Sequence, residues 1–236
     1  MSRRSAIALT PPSPRVQFTA ADLIYDEATH TSMLPNGRPV PHVTAILGAV
    51  GVSTDFAAMA EQSARIAAVL ETARDRGTAV HADAHAYDDD DLIWETVDPR
   101  VLPYVRAWAQ VRAEKQLTPV SRERRIYHPT YNYTGFLDGV FRRSSREGLT
   151  LIDIKTGDPN ESAAHLQTAG YASAWNIEHL DNQIDERWSV WLRPGRVVPY
   201  TIADYTAQKD GYQDFQKFLS CLTTYNEQPS RRARRS

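Results

Sequence analysis

One cysteine, four lysines and no long apolar run are the first features of this 236-residue chain. Cys221 alone excludes an internal disulfide, a four-cysteine zinc site and a cysteine-ligated iron–sulfur cluster, so any metal must be held by His, Asp and Glu. No stretch reaches the length of about 18 apolar residues that spans a bilayer. The basic start MSRRSAIALTPPSPR has only a few apolar residues before Pro11 and Pro12, too short a segment for an export signal. The expectation is a soluble, cytoplasmic protein with no membrane partner. A net charge of −2 does not announce a polyanion, although charge is unevenly placed, with DDDD at 88–91 and RRARR at 231–235.

The shortage of lysine singles out one residue. Of 27 basic residues only Lys115, Lys155, Lys209 and Lys217 are lysine. Arginine is a fixed cation with a wide planar fork, whereas lysine is a compact charge whose proton affinity its surroundings can tune. Lys155 stands in LIDIKTG, two residues after Asp153, at the end of an apolar run. Residues two apart in a strand share a face, so an acid and a tunable base are set side by side. A salt bridge at a strand end explains the pair equally well when it is taken alone.

The rest of the chain divides by its punctuation. Residues 1–15 read as a flexible leader, 229–236 as a disordered basic tail, and 16–228 as a single domain. LIYDEATHTSMLPNGRPVP predicts two short strands around Pro35-Asn36-Gly37, and VTAILGAVG a short helix. From Asp55 the alanine-rich periodicity predicts a helix to Arg76, ended by Gly77, with Thr78 capping a second helix through AVHADAHAYDDDD. A helix over 100–116 leads into the strands PVSRERRIY, YTGFLDGVFRR and LTLIDIKTG. Asn160 or Ser162 opens the next helix, ESAAHLQTAGYASAWNIEHL; two strands, RWSVWLR and VVPYTIA, and a helix over 207–226 follow. This order predicts an α/β or α+β fold with a central mixed sheet flanked by helices.

Within that frame Asp138, in GFLDGV, and Asp153 fall on successive strands joined by a short polar turn. Adjacent antiparallel strands bring the two carboxylates together at one end of the sheet. Two such oxygen donors suit a hard divalent cation. Lys155 then sits beside the ion, placed to orient or deprotonate a water. Gln167 and Tyr171, four apart on the following helix, share one face. Arg76, Arg142 and Arg143 flank this region as candidate phosphate contacts.

Taken in order, RGTAVH, TGFLDGV, LIDIKTG and QTAGY resemble the RecB-like branch of the PD-(D/E)XK nuclease superfamily, which includes phage-type exonucleases and the mitochondrial genome maintenance exonuclease. VPHVTAILGAVG is also similar to a segment of the phage-type members, and the likeness spans roughly residues 40–175. It implies a restriction-endonuclease-like PD-(D/E)XK core. It further implies one or two Mg2+ or Mn2+ ions held by His81, Asp138, Asp153 and the main-chain carbonyl of Ile154. Lys155 is then the catalytic lysine, while Gln167, Tyr171 and Thr156 shape the site and contact DNA. Glu123, in SRERRIY, resembles an acid of the preceding strand, with a strand salt bridge as the alternative. Two departures stand out: Leu137 replaces the proline of the superfamily name, and the four cysteines of the cluster-bearing members are missing.

The resemblance leads to a metal-dependent deoxyribonuclease, an exonuclease acting on DNA ends or single strands in recombination, repair or end processing. No helicase motif or phosphate-binding glycine loop is present, so a helicase or recombination partner is a separate protein. A sequence- or structure-specific endonuclease on the same core, and a nuclease-fold protein that only binds DNA or another protein, remain the alternatives. HADAH is not a zinc-protease motif, because Ala82 stands where the base glutamate belongs. DDDD lacks the alternating ligands and the glycine of an EF-hand loop and reads as a solvated turn. The five tryptophans read as core residues.

Overall fold

The computed structural model describes residues 18–27, 29–53, 63–157, 163–206 and 211–228. The leader, the RRARR tail and the proposed helix openers Asn160 and Ser162 lie outside them. The N-terminal part forms a small antiparallel sheet of β1 (Ile24–Asp26), β2 (Thr31–Met33) and β3 (Pro39–Val40), one strand more than the hairpin predicted. The turn at Pro35-Asn36-Gly37 is present and closes through the Gly37 N–H to the Leu34 carbonyl at 2.8 Å. Helix α1 (Val43–Ala49) follows.

A second sheet carries the strands β4 (Leu117–His128), β5 (Tyr133–Arg143), β6 (Leu149–Lys155), β7 (Ile184–Leu192) and β8 (Tyr200–Asp204), in that spatial order. All neighbours are antiparallel except β6 and β7. Those two run parallel because helix α4 (Ala164–Glu178) carries the chain back between them. Strand β6 is the middle strand and buries every residue from Leu149 to Ile154, which is why LTLIDI is nearly continuous apolar sequence.

Helices cover both faces of this sheet. On one, Leu137, Val140, Leu149 and Leu151 pack with Leu166 and Trp175 of α4, Phe218 and Leu222 of α5 (Gly211–Glu227), and Ile46 and Leu47 of α1. On the other, Phe141, Ile152, Ile154 and Val190 pack with Val80 and Ala84 of α2 (Ala64–Asp88) and Trp108 and Val111 of α3 (Leu102–Glu114). Each large aliphatic side chain so buried contributes about 1.5–3 kcal/mol. The expected mixed sheet with flanking helices is therefore the observed architecture. Among the described residues no helix is long and apolar enough to cross a membrane.

Two expectations change. Gly77 does not end a helix: α2 runs unbroken over 25 residues through it, and the Thr78 hydroxyl bonds the Arg74 carbonyl one turn back instead of capping a new helix. A glycine inside a helix costs only about 1 kcal/mol, which the packing of Val80 and Ala84 on the sheet offsets. The predicted start at Asp55 falls outside the described residues. The acidic run is not all solvated turn either. Asp88 still belongs to α2, is 4% exposed, and accepts the Trp108 indole N–H at 3.0 Å and an Arg112 N–H. Burial raises its carboxyl, and the Arg112 charge opposes that rise.

Candidate functional site

The paired register of β5 and β6 joins Gly139–Phe141 to Thr150–Ile152. Beyond it the Ile154 N–H donates to Oδ2 of Asp138 at 2.7 Å, so a carboxylate receives a main-chain donor of the next strand. This bond fixes Asp138 across from Asp153, and the antiparallel pairing of their strands is as expected. The other Asp138 oxygen faces Nδ1 of His81, on α2, at 3.4 Å.

Asp153 is 3% exposed and held on several sides. Its Oδ1 accepts from Nε2 of Gln167 at 3.0 Å, and its Oδ2 lies 3.2 Å from Nζ of Lys155 and 3.3 Å from the Ser189 hydroxyl. Lys155 in turn donates to Oε1 of Gln167 at 3.0 Å. Gln167 therefore grips the acid with its amide nitrogen and the base with its oxygen, and its nitrogen also reaches the Tyr171 hydroxyl at 3.2 Å. The one-turn spacing of Gln167 and Tyr171 on α4 makes this possible.

The charges balance across the cluster. The Asp138 carboxylate raises the His81 imidazole to about 9, against the opposing effect of burial. Burial alone would push the Asp138 carboxyl up. The His81 and Lys155 charges and the Ile154 N–H together hold it below the ordinary carboxylate value. Burial, with the Asp153 charge, pushes the Tyr171 phenol up, so it stays a neutral hydroxyl. The lowering of Asp138 despite its burial thus rests on the positive groups and the main-chain donor around it.

The donor set suits a divalent cation. Two carboxylates are the hard oxygen donors that Mg2+ takes, and an added imidazole favours Mn2+. His81 and Asp138 stand as an ion pair at 3.4 Å, longer than the 2.7–3.2 Å of a good hydrogen bond. Among the described residues no three His, Cys, Asp or Glu side chains already stand gathered as an ion site, since Asp153 is turned toward Gln167, Lys155 and Ser189.

The remaining predicted residues are placed less uniformly. Thr156 follows Lys155 beside α2, with its hydroxyl 3.4 Å from where a Cβ on Gly77 would lie. Arg76, half-buried, stacks its guanidinium over the Tyr104 ring at 5.5 Å. Arg142 is exposed but four residues along β5 from Asp138, about 13 Å at the rise of a strand. Arg143 donates twice to Glu186, at 2.8 and 3.0 Å, and stacks on Trp188 at 4.6 Å. Glu123 pairs across elements: its carboxylate lies 2.8 Å from Nδ1 of the buried His85 on α2, one helical turn beyond His81, closer to the salt-bridge alternative than to a place beside Asp138. Leu137, in the proline position, is fully buried in the core. Of the tryptophans, Trp94 is 38% exposed and the other four are buried.

Two residues of this site were not predicted. Ser189, a small polar residue in the apolar run RWSVW, is the β7 partner of Asp153 in register and supplies its hydroxyl. Gly135, in YTGFLDG, lies under the Tyr171 ring, where an added Cβ would meet Cε1 at 2.6 Å. A glycine inside a strand pattern is the signal that would have pointed to it. Two surface hollows lie elsewhere, one beside Tyr87, Arg112 and Gln116, the other beside Asn176, Arg187 and Tyr212. No family model matches the chain, and no curated protein matches it.

Proposed function

We propose that the chain is a metal-dependent deoxyribonuclease of RecB-like PD-(D/E)XK type, an exonuclease that hydrolyses phosphodiester bonds at DNA ends or in single strands. One observation carries the reading: His81 of α2, Asp138 of β5, Asp153 and Lys155 of β6 and Gln167 of α4, which stand far apart in sequence, meet in one polar cluster. A salt bridge alone would explain Asp153 and Lys155. It does not explain why a second carboxylate, an imidazole and a glutamine bracket them.

In this proposal His81, Asp138 and Asp153, with the Ile154 carbonyl, hold Mg2+ or Mn2+. The ion supplies Lewis acidity toward a phosphoryl oxygen and toward the attacking water. The Lys155 ammonium lies between Oδ2 of Asp153 and Oε1 of Gln167, and these two acceptors fix its position. There the ammonium orients the attacking water by donating to it and offsets charge building on the phosphate. Gln167, which also donates to the Tyr171 hydroxyl, holds Asp153 and Lys155 beside each other. His81 gives up its proton when it becomes a ligand.

The test is incubation of linear and closed circular DNA with Mg2+ or Mn2+. Loss of linear DNA alone supports the exonuclease, and nicking of closed circles supports an endonuclease on the same core. Binding without cleavage in either metal overturns the enzymatic reading in favour of a DNA-binding module.

A further inference from the structure

The strand that carries Asp138 also carries an aromatic side chain in the open. Gly135 and Leu137 of β5 both turn toward Tyr171. By the two-residue period of a strand, Phe136, between them, turns to the opposite side of β5; Asp138, two residues on, meets His81 of α2. The Phe136 ring is 37% exposed.

Phe136 is not isolated. Its register partner on β4 is Arg125, whose guanidinium lies 5.3 Å over the Phe136 ring and 5.3 Å over Tyr25 of β1. Tyr25 meets Phe136 edge to face at 5.2 Å, and His42 stands 6.0 Å from Phe136. The guanidinium is pinned between the rings by a 2.8 Å bond to the Leu23 carbonyl. Burial, and after it the positive charge of Arg125, holds His42 below its ordinary value, so it adds a neutral ring. The result is a patch of three half-buried or exposed rings around one fixed cation. It begins two residues from Asp138, about 7 Å along the strand.

We infer that Phe136, Tyr25, Arg125 and His42 form a stacking platform that grips the bases of single-stranded DNA next to the scissile position. This rests on the nuclease reading for its orientation and deepens it by naming the substrate form. An unpaired base offers a free π-face to Phe136 and to a guanidinium, and such stacking is worth about 1–3 kcal/mol per base. In duplex DNA those faces are already stacked on neighbouring bases, so the platform selects single strands. The one fixed charge of the patch is positive, as a phosphate chain requires.

The test is fluorescence anisotropy of a labelled oligothymidylate, and of a duplex of equal length, with protein carrying Lys155→Ala to prevent cutting. Phe136→Leu keeps an apolar side chain at the site and removes the aromatic face. It is expected to weaken oligothymidylate binding about tenfold and duplex binding far less, while Phe136→Trp restores the affinity. Unaltered oligothymidylate affinity in Phe136→Leu, or equal losses on both DNAs, overturns the platform. A failure of Phe136→Trp to bind better than Phe136→Leu overturns it as well. A Phe136-dependent grip on oligothymidylate, in a protein whose parent cuts no DNA with either metal, leaves the platform standing and removes the nuclease reading.

Discussion

Replacing Gly135 by alanine drives a methyl group into the Tyr171 ring. The new Cβ would lie 2.6 Å from Cε1, 3.3 Å from Cδ1 and 3.5 Å from Cζ, where carbon pairs prefer about 3.5–4.0 Å. The ring has little room to retreat, because Tyr171 is 4% exposed and packed in the core beneath α4. Overpacking of this kind costs about 1–3 kcal/mol, and each kcal/mol lowers Tm by about 2–4 °C in a domain of this size. The damage also reaches the polar cluster: a displaced phenol no longer meets Gln167, which holds both Asp153 and Lys155. Thermal unfolding of Gly135→Ala, Tyr171→Leu and the double variant checks the argument. Once the ring is gone the methyl has space, so the double variant should lose at least about 1 kcal/mol less than the sum of the single losses. Additive losses would refute the proposed contact between residue 135 and the ring.

Arg187 and Asp214 form a buried pair at 2.9 Å, with side chains 8% and 4% exposed. Asp214→Ala should cost about 3–5 kcal/mol in urea unfolding by stranding the guanidinium, whereas replacing both residues by leucine should cost much less. His128, 4% exposed among Tyr131, Tyr133 and Phe215, is depressed by burial to about 4. Its unfolded form binds a proton first as pH falls, so the wild type should lose stability from about pH 6.5 down to 4. His128→Phe should flatten that part of the profile, seen as a smaller drop in Tm. His81, raised to about 9, is protonated at neutral pH and must shed that proton to bind a metal. Calorimetric titration of Mn2+ in buffers of different ionisation enthalpy should show about one proton released at pH 7, and a release near zero in His81→Ala.

Much of this fold is readable because local pattern and tertiary demand agree. YTGFLDGVFRR is β5 residue for residue, and the buried run before Lys155 is the middle strand. The cluster residues were legible for a different reason: Asp138, Asp153, Lys155, Gln167 and Tyr171 follow from strand and helix periods once their elements are known. What escaped depends on contacts between elements. Gly77 looks like a stop, yet α2 continues because the sheet rewards the turns beyond it. Asp88 looks solvated within DDDD, yet Trp108 and Arg112, on another helix, make it worth burying. His85 meets Glu123 only because β4 passes under α2, with Glu123 at φ 43°, a left-handed backbone no sequence signal announces.

Whether Lys155 works on a phosphodiester held beside Asp138 and Asp153 can be read from a single comparison. Wild-type protein and Lys155→Ala are mixed with linear DNA and Mn2+, and cleavage and binding are followed in parallel. The expected result is cleavage by the wild type, and loss of cleavage with retained binding in Lys155→Ala; full cleavage by the variant would remove Lys155 from the chemistry.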